Sequence, residues 1–413
     1  ISASDSIWII NAYQIAIITT LLPFSALGDH IGYKRIYLCG LALFIVMSIG
    51  CAAAWDLRSL VIFRVLQGLG ASAVMSVNTS LVRLIFPKRM LGRGIGINSM
   101  VVSVSSVMGP TVAATILAVG EWQWLFVINM PLGMVAIIIG ILYLPDNISL
   151  RGVATFRWRD ALLNALAFGF LFALISSASH KLPIGWLIFE VIGAVTFVYV
   201  YVKSQLRREN PILPFDLLRI PIFSMSIFTS VMIFIAQMSV MVSMPFILHY
   251  QYHYSAIEIG WVLTALPAVN IVSTSIAGFL VDRYHAGILG CIGLSILVVA
   301  MYLLALVPEG AEPIEFIWRL GLTGLGFGFF QAPNNSMIIS SAPLARSGSA
   351  SGMMASARLT GQITGAASVA LIFLIVPMER GSQILFLSAF CTTIAAILSF
   401  IRLSLPLPEA LRR

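Results

Sequence analysis

Apolar runs of about twenty residues follow one another along almost the whole chain, and charged residues fall mainly between them. A helix of about 20 apolar residues is long enough to cross the hydrocarbon core of a bilayer. Only 10% of the 413 residues are charged and the mean hydropathy is +0.99, whereas about 25% of a soluble domain is charged. The sequence therefore predicts an all-α integral membrane protein, with thirteen segments near residues 7–27, 36–54, 58–80, 94–119, 124–144, 160–179, 185–203, 222–248, 258–281, 286–307, 316–340, 348–376 and 383–404.

Lysines and arginines are distributed unequally over the connections between these segments. Eighteen lie in one set of alternate connections, hereafter the basic side, and the other set contains Arg58, Lys181 and Arg380. Because cytoplasmic loops carry an excess of basic residues, we expect the basic side and the C-terminus to lie in the cytoplasm. Ile1 then lies on the opposite side, and one further helix before it would give fourteen. Topology, rather than nucleic-acid binding, accounts for the net charge of +8.

Two aspartate-containing turns indicate that the chain has two related halves. Asp29 lies in the turn at residues 27–35, and a weaker copy of this turn contains Asp282, 253 residues later; Arg93 and Arg346 have the same offset. Six helices with their loops occupy about 200 residues, so this offset leaves room for an inserted helix pair. We therefore predict an N-terminal bundle at 1–145, an inserted pair with its linkers at 146–215 and a C-terminal bundle at 216–413.

The turn around Asp29 resembles the inter-helix signature of the major facilitator superfamily, whose transporters are built from two such repeats. Asp29, Gly32, Lys34 and Arg35 match the signature, and Ser25 replaces its first glycine. We interpret the turn as a latch between conformational states, in which the carboxylate caps a helix or pairs with an arginine. The alternative is a solvated loop that only satisfies topology.

The partners of this latch are expected among the basic residues of neighbouring loops. Arg83 and Arg93 are the nearest candidates for Asp29. In the second copy Asp282 and Arg283 are kept, whereas His285 stands in the place of the glycine, which makes that copy the less regular of the two.

Three other segments resemble signatures of the same superfamily. Arg64 and the glycines that follow it resemble the fourth-helix signature, which implies that Arg64 tunes a proton-carrying acid; snorkelling to the interface is the alternative. Gly96, Gly109 and Pro110 resemble the antiporter signature of the fifth helix, although two of its glycines are replaced by other small residues. Residues 122–133 resemble the sixth helix of the fourteen-helix drug:proton antiporters. The resemblance covers essentially the whole chain and implies two six-helix bundles plus the inserted pair.

Polar and aromatic residues within helices are candidates for lining a cargo cavity. Arg358 lies too deep in its segment to snorkel easily, so we expect it to face the bundle interior. Glu190 is an acid well inside a helix and a candidate for the proton pathway with Arg64, although it lies on the inserted pair. The candidate cavity residues are Tyr13, Gln14, Gln67, Asn78, Gln237, Phe330, Gln331, Asn334, Arg358 and Gln362.

These features predict a monomeric, proton-coupled exporter of the bacterial inner membrane that needs no cofactor and moves small amphipathic drugs or biocides, with cations expected from the family resemblance. An anionic or zwitterionic cargo is the alternative, because Arg64 and Arg358 add positive charge. A polytopic membrane enzyme is disfavoured, since the histidines are scattered. The spacing of His249 and His253 suits a metal, but this run is expected in an interfacial aromatic belt, so no metal site is predicted.

Overall fold

The computed structural model describes residues 3–146, 156–177, 184–206, 211–375 and 382–404. In these ranges the chain forms thirteen long helices and two single helical turns, and none of the described residues is in a strand. The helices are α1 (Ala3–Ile31), α2 (Tyr33–Ala52), α3 (Leu57–Ile85), α4 (Leu91–Val119), α5 (Trp124–Val127), α6 (Asn129–Tyr143), α7 (Trp158–Ser177), α8 (Ile184–Gln205), α9 (Phe215–Leu218), α10 (Pro221–Phe246), α11 (Ala256–Val281), α12 (Ala286–Ala305), α13 (Pro313–Ser341), α14 (Ser347–Ile375) and α15 (Gln383–Leu403).

Each predicted apolar segment overlaps one long helix, with α5 and α6 together forming the segment near 124–144. By length and composition, eight helices of the described chain are suited to cross a membrane. The prediction of an all-α membrane protein is confirmed.

Local sequence explains where several helices begin. Gly32 separates α1 from α2 with φ at 102°, a backbone conformation that only glycine adopts readily. On the opposite side, the Asp56 carboxylate accepts a hydrogen bond from Ser59 N at 2.8 Å and caps α3. Hydrogen bonds from Ser59 hold the pKa of Asp56, which lies in the loop before α3, below its usual range.

The two halves repeat one another in how their helices touch. A Cβ atom at Gly70 of α3 would lie 2.6 Å from the backbone nitrogen of Phe44 on α2, and one at Gly326 of α13 would lie 2.6 Å from that of Leu297 on α12. Both distances are shorter than real Cβ contacts, so α2–α3 and α12–α13 are backbone-to-backbone contacts that require glycine.

The pair α7–α8 lies beside the two bundles. Helix α7 packs against α1, α8 and α14, whereas α8 packs mainly against α7. The side-chain amide of Asn164 on α7 donates to the carbonyl oxygen of Thr19 on α1 at 2.7 Å. Residues 147–155 and 207–210, in the predicted linkers of this pair, lie outside the described ranges, as do Lys181 and Arg380.

Candidate functional site

The Asp29 carboxylate, at the basic end of α1, binds the first turn of α14. Oδ1 accepts from Gly348 N at 2.7 Å, and Oδ2 accepts from Ser349 N at 3.0 Å and from Ser349 Oγ at 2.7 Å. Tyr33 Oη donates to Oδ1 at 2.7 Å, and Asp29 is only 4% exposed. The first N–H groups of a helix have no partner within the helix and favour a negative charge. Asp29 therefore caps a helix that is 318 residues further along the chain.

Helix α3 reinforces this contact. Ser80 Oγ donates to the carbonyl oxygen of Ser347 at 2.8 Å, and the Arg83 guanidinium donates to Ser347 Oγ at 2.7 Å and to the carbonyl oxygen of Ala342 at 3.0 Å. Arg83 was expected as a partner for Asp29. Instead it holds the turn between α13 and α14, and the Asp29 contacts go to backbone groups.

The second copy of the turn makes the equivalent contact in the opposite direction. Asp282, just past α11, accepts a hydrogen bond from Arg93 N in the first turn of α4 at 3.1 Å. The Arg93 guanidinium carbon lies 4.7 Å from the centroid of the Phe279 ring, so Arg93 contributes its backbone N–H to Asp282. His285, in the place of the glycine, caps α12 by accepting from Gly287 N at 3.1 Å. Each half therefore places a carboxylate on a helix N-terminus of the other half.

Small residues lie where the helices of the two halves meet at these contacts. In the first contact Ser25 lies against Gly352 of α14, where an added Cβ would be 2.3 Å from Ser25 Oγ. In the second, Gly278 of α11 lies against Gly96 of α4, where an added Cβ would be 2.7 Å from the Gly278 Cα. The departure of Ser25 from the family signature is thus accommodated by a glycine on the facing helix.

Helices α4 and α11 touch on the basic side, where Gly96 meets Gly278. Together with the two carboxylate caps, this contact closes the molecule at its basic end. Toward the other ends of these helices, an added Cβ at Gly109 of α4 or at Gly260 of α11 would meet nothing within 4 Å. Gly109 lies about 25 Å along α4 from Gly92, at a rise of about 1.5 Å per residue. The structure describes α4 as one continuous helix through the Gly109-Pro110 pair.

Arg64 on α3 points into the protein. Nη1 donates to Gln67 Oε1 at 2.6 Å, Nε donates to the carbonyl oxygen of Ile9 at 3.2 Å, and the guanidinium carbon lies 4.1 Å from the centroid of the Tyr13 ring. Gln67 Nε2 in turn donates to Ser48 Oγ at 2.6 Å. These contacts tie Arg64 to α1 and α2, and they satisfy its donors away from the interface.

Arg358 lies on the seam where α14 meets α1. The neighbouring Leu359 packs against the cluster of Ile17 and Leu21. The Arg358 guanidinium carbon lies 5.5 Å from the ring centroid of Phe234 on α10. Arg358 therefore lies beside an aromatic ring of α10, next to the contact of α14 with α1.

The other predicted cavity residues differ in how deeply they are buried. Within the bundles, Gln67 is hydrogen-bonded to Arg64, Asn78 donates to Asn98 at 2.9 Å, Phe330 is in the C-terminal core, and Asn334 and Gln331 are buried. Tyr13, Gln237 and Gln362 are half-buried, and Gln14 is exposed.

The remaining residues of the predicted latch lie at the periphery of the basic side. Lys34 forms an ion pair with the exposed Asp146 at 3.1 Å, and Arg35 and Arg283 are exposed. Arg346, the counterpart of Arg93 in the repeat and not part of the predicted latch, binds the Asp216 carboxylate of α9 through Nη2 and Nε, both at 2.9 Å, so it anchors the linker helix.

Sequence reasoning did not find Ser347, Gly348 and Ser349, because backbone donors have no side-chain signature. It also did not single out Arg402. The structure places Arg402 inside α15 at 2% exposure, with hydrogen bonds to Ser226, Asn334 and Ser399.

Comparison with known proteins agrees with this architecture. A family model described as "Major Facilitator Superfamily" matches residues 1–366. The chain is 46% identical over 408 residues to the "Uncharacterized transporter YebQ" of Escherichia coli (strain K12), covering 98% of this chain and 89% of that protein. It is 29% identical over 378 residues to the "Tetracenomycin C resistance and export protein" of Streptomyces glaucescens, covering 89% and 68%. Its fold is similar to that of the proton:xylose symporter XylE, with a TM-score of 0.70 at 13% identity over 97% of this chain and 87% of that one. The chain therefore belongs to the major facilitator superfamily.

Proposed function

We propose that this protein is a proton-coupled secondary exporter that moves small amphipathic compounds outward across the bacterial inner membrane by alternating access. The observation that carries the proposal is the pair of reciprocal carboxylate caps, Asp29 on α14 and Asp282 on α4. Contacts between the halves on the basic side are of the kind that a two-state transporter needs, because they would stabilise one state and would have to break in the other.

The direction of transport rests on two further observations. The chain resembles antiporters at Gly96, Gly109 and Pro110, and one relative is named for the resistance to and export of tetracenomycin C. With the basic side in the cytoplasm, the described state is closed to the cytoplasm, and cargo would be released from it to the outside.

For proton coupling we propose Arg64 as the residue that tunes the proton-carrying acid. Its guanidinium reaches from α3 to the backbone of α1, so the protonation state of a nearby acid would alter a contact between helices. Glu190 is the weaker candidate for the acid, because α8 packs mainly against α7 rather than along the seam. The family resemblance implies cationic cargo.

Reconstituted vesicles test this proposal. Purified protein with an imposed pH gradient is expected to move an amphipathic dye, either ethidium (a cation) or fluorescein (an anion), against the proton flow, and to acidify the compartment that loses the dye. Arg64→Gln is expected to abolish uphill movement but to retain downhill exchange of dye. Arg219→Gln, a change at an exposed arginine in a connection, serves as the charge-matched control. Unchanged uphill transport after the pH gradient has been collapsed, with every other gradient absent, would exclude proton coupling.

A further inference from the structure

We infer that Arg358, positioned against the ring of Phe234, recognises an anionic group on the cargo, and that the protein transports planar organic anions such as aromatic carboxylates or sulfonates. This inference rests on the proposed export function and specifies the charge of its substrate. It selects the anionic alternative over the cationic cargo that the family resemblance implies.

The position of Arg358 is that of a cargo site. It lies eleven residues after the start of α14, which corresponds to about 16 Å at a rise of about 1.5 Å per residue, or about half of a ~30 Å hydrocarbon core. Leu359 beside it packs against Ile17 and Leu21 of α1, so Arg358 lies at the seam between the halves. Cargo in transporters of two repeats binds near the midplane at this kind of interface.

The immediate surroundings hold the guanidinium against an aromatic pair. Helices α14 and α10 approach so closely at Gly361 that an added Cβ would be 2.7 Å from the Cβ of Phe234. The Phe234 ring is edge-to-face with Phe327 at a centroid distance of 5.8 Å. Phe234 is 6% exposed and belongs to the core of the C-terminal half, so the face under Arg358 is fixed.

Arg358 differs from the other inward-pointing arginines in its partners. Arg64 donates to Gln67, Arg319 forms an ion pair with Glu315, and Arg402 donates to Ser226 and Asn334. For Arg358, the contact recorded among the described residues is the Phe234 ring, and within those ranges no carboxylate lies at ion-pair distance. A cation at the membrane centre costs more than one cation–π contact returns. An anion that enters from outside the protein would complete the site.

The chemistry of the missing partner follows from the groups present. A planar guanidinium matches the two oxygens of a carboxylate or sulfonate, and it also stacks on the aromatic body of such an ion. Tyr13 is 16 residues before Asp29 on α1 and Arg358 is ten residues after Gly348 on α14. Because Asp29 contacts Gly348, the Tyr13 level is about 9 Å further from the basic side than Arg358. Arg64 therefore adds a second positive charge on the side of Arg358 away from the basic end, which attracts anions and repels cations.

Two dyes that share the xanthene scaffold and differ in charge provide the test. We expect the wild-type protein in nanodiscs to bind fluorescein, an anion, at least tenfold more tightly than rhodamine 123, a cation. Arg358→Gln is expected to weaken fluorescein binding by about ten- to a hundredfold, the effect of losing hydrogen bonds between charged groups. Arg358→Lys keeps the positive charge but not the planar guanidinium that can bind two oxygens at once, so it should give an intermediate loss of fluorescein affinity. Phe234→Leu should also weaken fluorescein binding. Arg219→Gln is the control, with unchanged affinity expected.

The outcomes separate this inference from the proposed function. Equal or tighter binding of rhodamine 123 by the wild-type protein, a comparison that needs no variant, overturns the anion site. So does fluorescein binding that is insensitive to Arg358→Gln in a folded, monodisperse protein. If a pH gradient drives rhodamine 123 but not fluorescein out of vesicles, export stands and the anion site fails. If fluorescein binds through Arg358 but no pH gradient drives either dye, the anion site stands and proton-coupled export fails.

Discussion

Replacing Asp29 by asparagine should release the basic side of the protein. In the structure each carboxylate oxygen accepts one backbone N–H, from Gly348 at 2.7 Å and from Ser349 at 3.0 Å, and one hydroxyl. In Asp29→Asn, one of these N–H groups faces an amide NH2 whichever way the amide is turned. The Tyr33 or Ser349 hydroxyl can rotate to accept a hydrogen bond, but a backbone N–H cannot.

The size of the effect follows from this count. One hydrogen bond to a charged group is lost, at about 1.5–3 kcal/mol, and the remaining bonds weaken because the acceptor is now neutral. The favourable interaction of a negative charge with the N-terminus of α14, about 0.3–1 kcal/mol, is lost as well. A total of about 3 kcal/mol shifts the equilibrium toward the state open on the basic side by roughly a hundredfold.

Distances between spin labels measure this shift. Ile85 at the end of α3 and Tyr284 after α11 are exposed in different halves, and labels on cysteines at these positions should move apart when the basic side opens. Cys39, an exposed native cysteine, would first be replaced by serine, whereas Cys51, Cys291 and Cys391 are buried. We expect a single short distance in the wild-type protein and a second, longer one in Asp29→Asn.

Asp56→Asn is the matched control, because it makes the same chemical change at an exposed helix cap on the opposite side. It should leave the distance distribution unchanged. Because Asp29 lies at the basic rim, cargo affinity should be nearly unchanged in Asp29→Asn. An unaltered distance distribution, or a large loss of cargo binding by a folded protein, would refute the latch.

Three further changes test other contacts. Gly352→Ala should open the basic side in the same spin-label assay, because the new Cβ would be 2.3 Å from Ser25 Oγ. Adding Ser25→Gly should restore closure, and failure of that rescue would contradict the close packing of position 25 against position 352. Arg402→Gln should lower the free energy of unfolding by about 3 kcal/mol, since it leaves a buried hydrogen-bonding cluster incomplete; denaturant titration in detergent checks this, with Arg219→Gln expected within about 0.5 kcal/mol of wild type. Asp216→Asn should free the linker helix α9 from Arg346 at a cost of about 1 kcal/mol for this partly exposed pair, visible as faster amide hydrogen exchange in α9; unchanged exchange would mean that α9 is held by its apolar contacts.

The helices could be predicted from the sequence because each depends on its own composition. The apolar runs locate them, and Gly32 marks the turn between α1 and α2. The capping contact of Asp29, one of the two contacts expected of this turn, was also accessible, since a charged, glycine-flanked turn that recurs after 253 residues has little reason to be a simple loop.

The partners were not accessible, because they depend on which helices meet. Asp29 binds the backbone of Gly348 and Ser349, and a backbone N–H gives no sign in the sequence of the carboxylate that it meets. Arg402 near the C-terminus had the appearance of an interfacial residue. Only the positions of Ser226, Asn334 and Ser399 on other helices show that its charge is held inside.

The bond from Asn164 of α7 to the Thr19 carbonyl of α1 has a mechanical consequence. Helix α7 also packs on α14, and α14 belongs to the half that must separate from α1 on the basic side. Because the polar bond goes to α1, the pair α7–α8 should travel with α1 as a rigid attachment, and its contact with α14 should be the surface that slides. The inserted pair would then move through the lipid as part of one half. The thickness and lateral pressure of the surrounding bilayer would therefore affect the rate at which the protein changes between its two conformations.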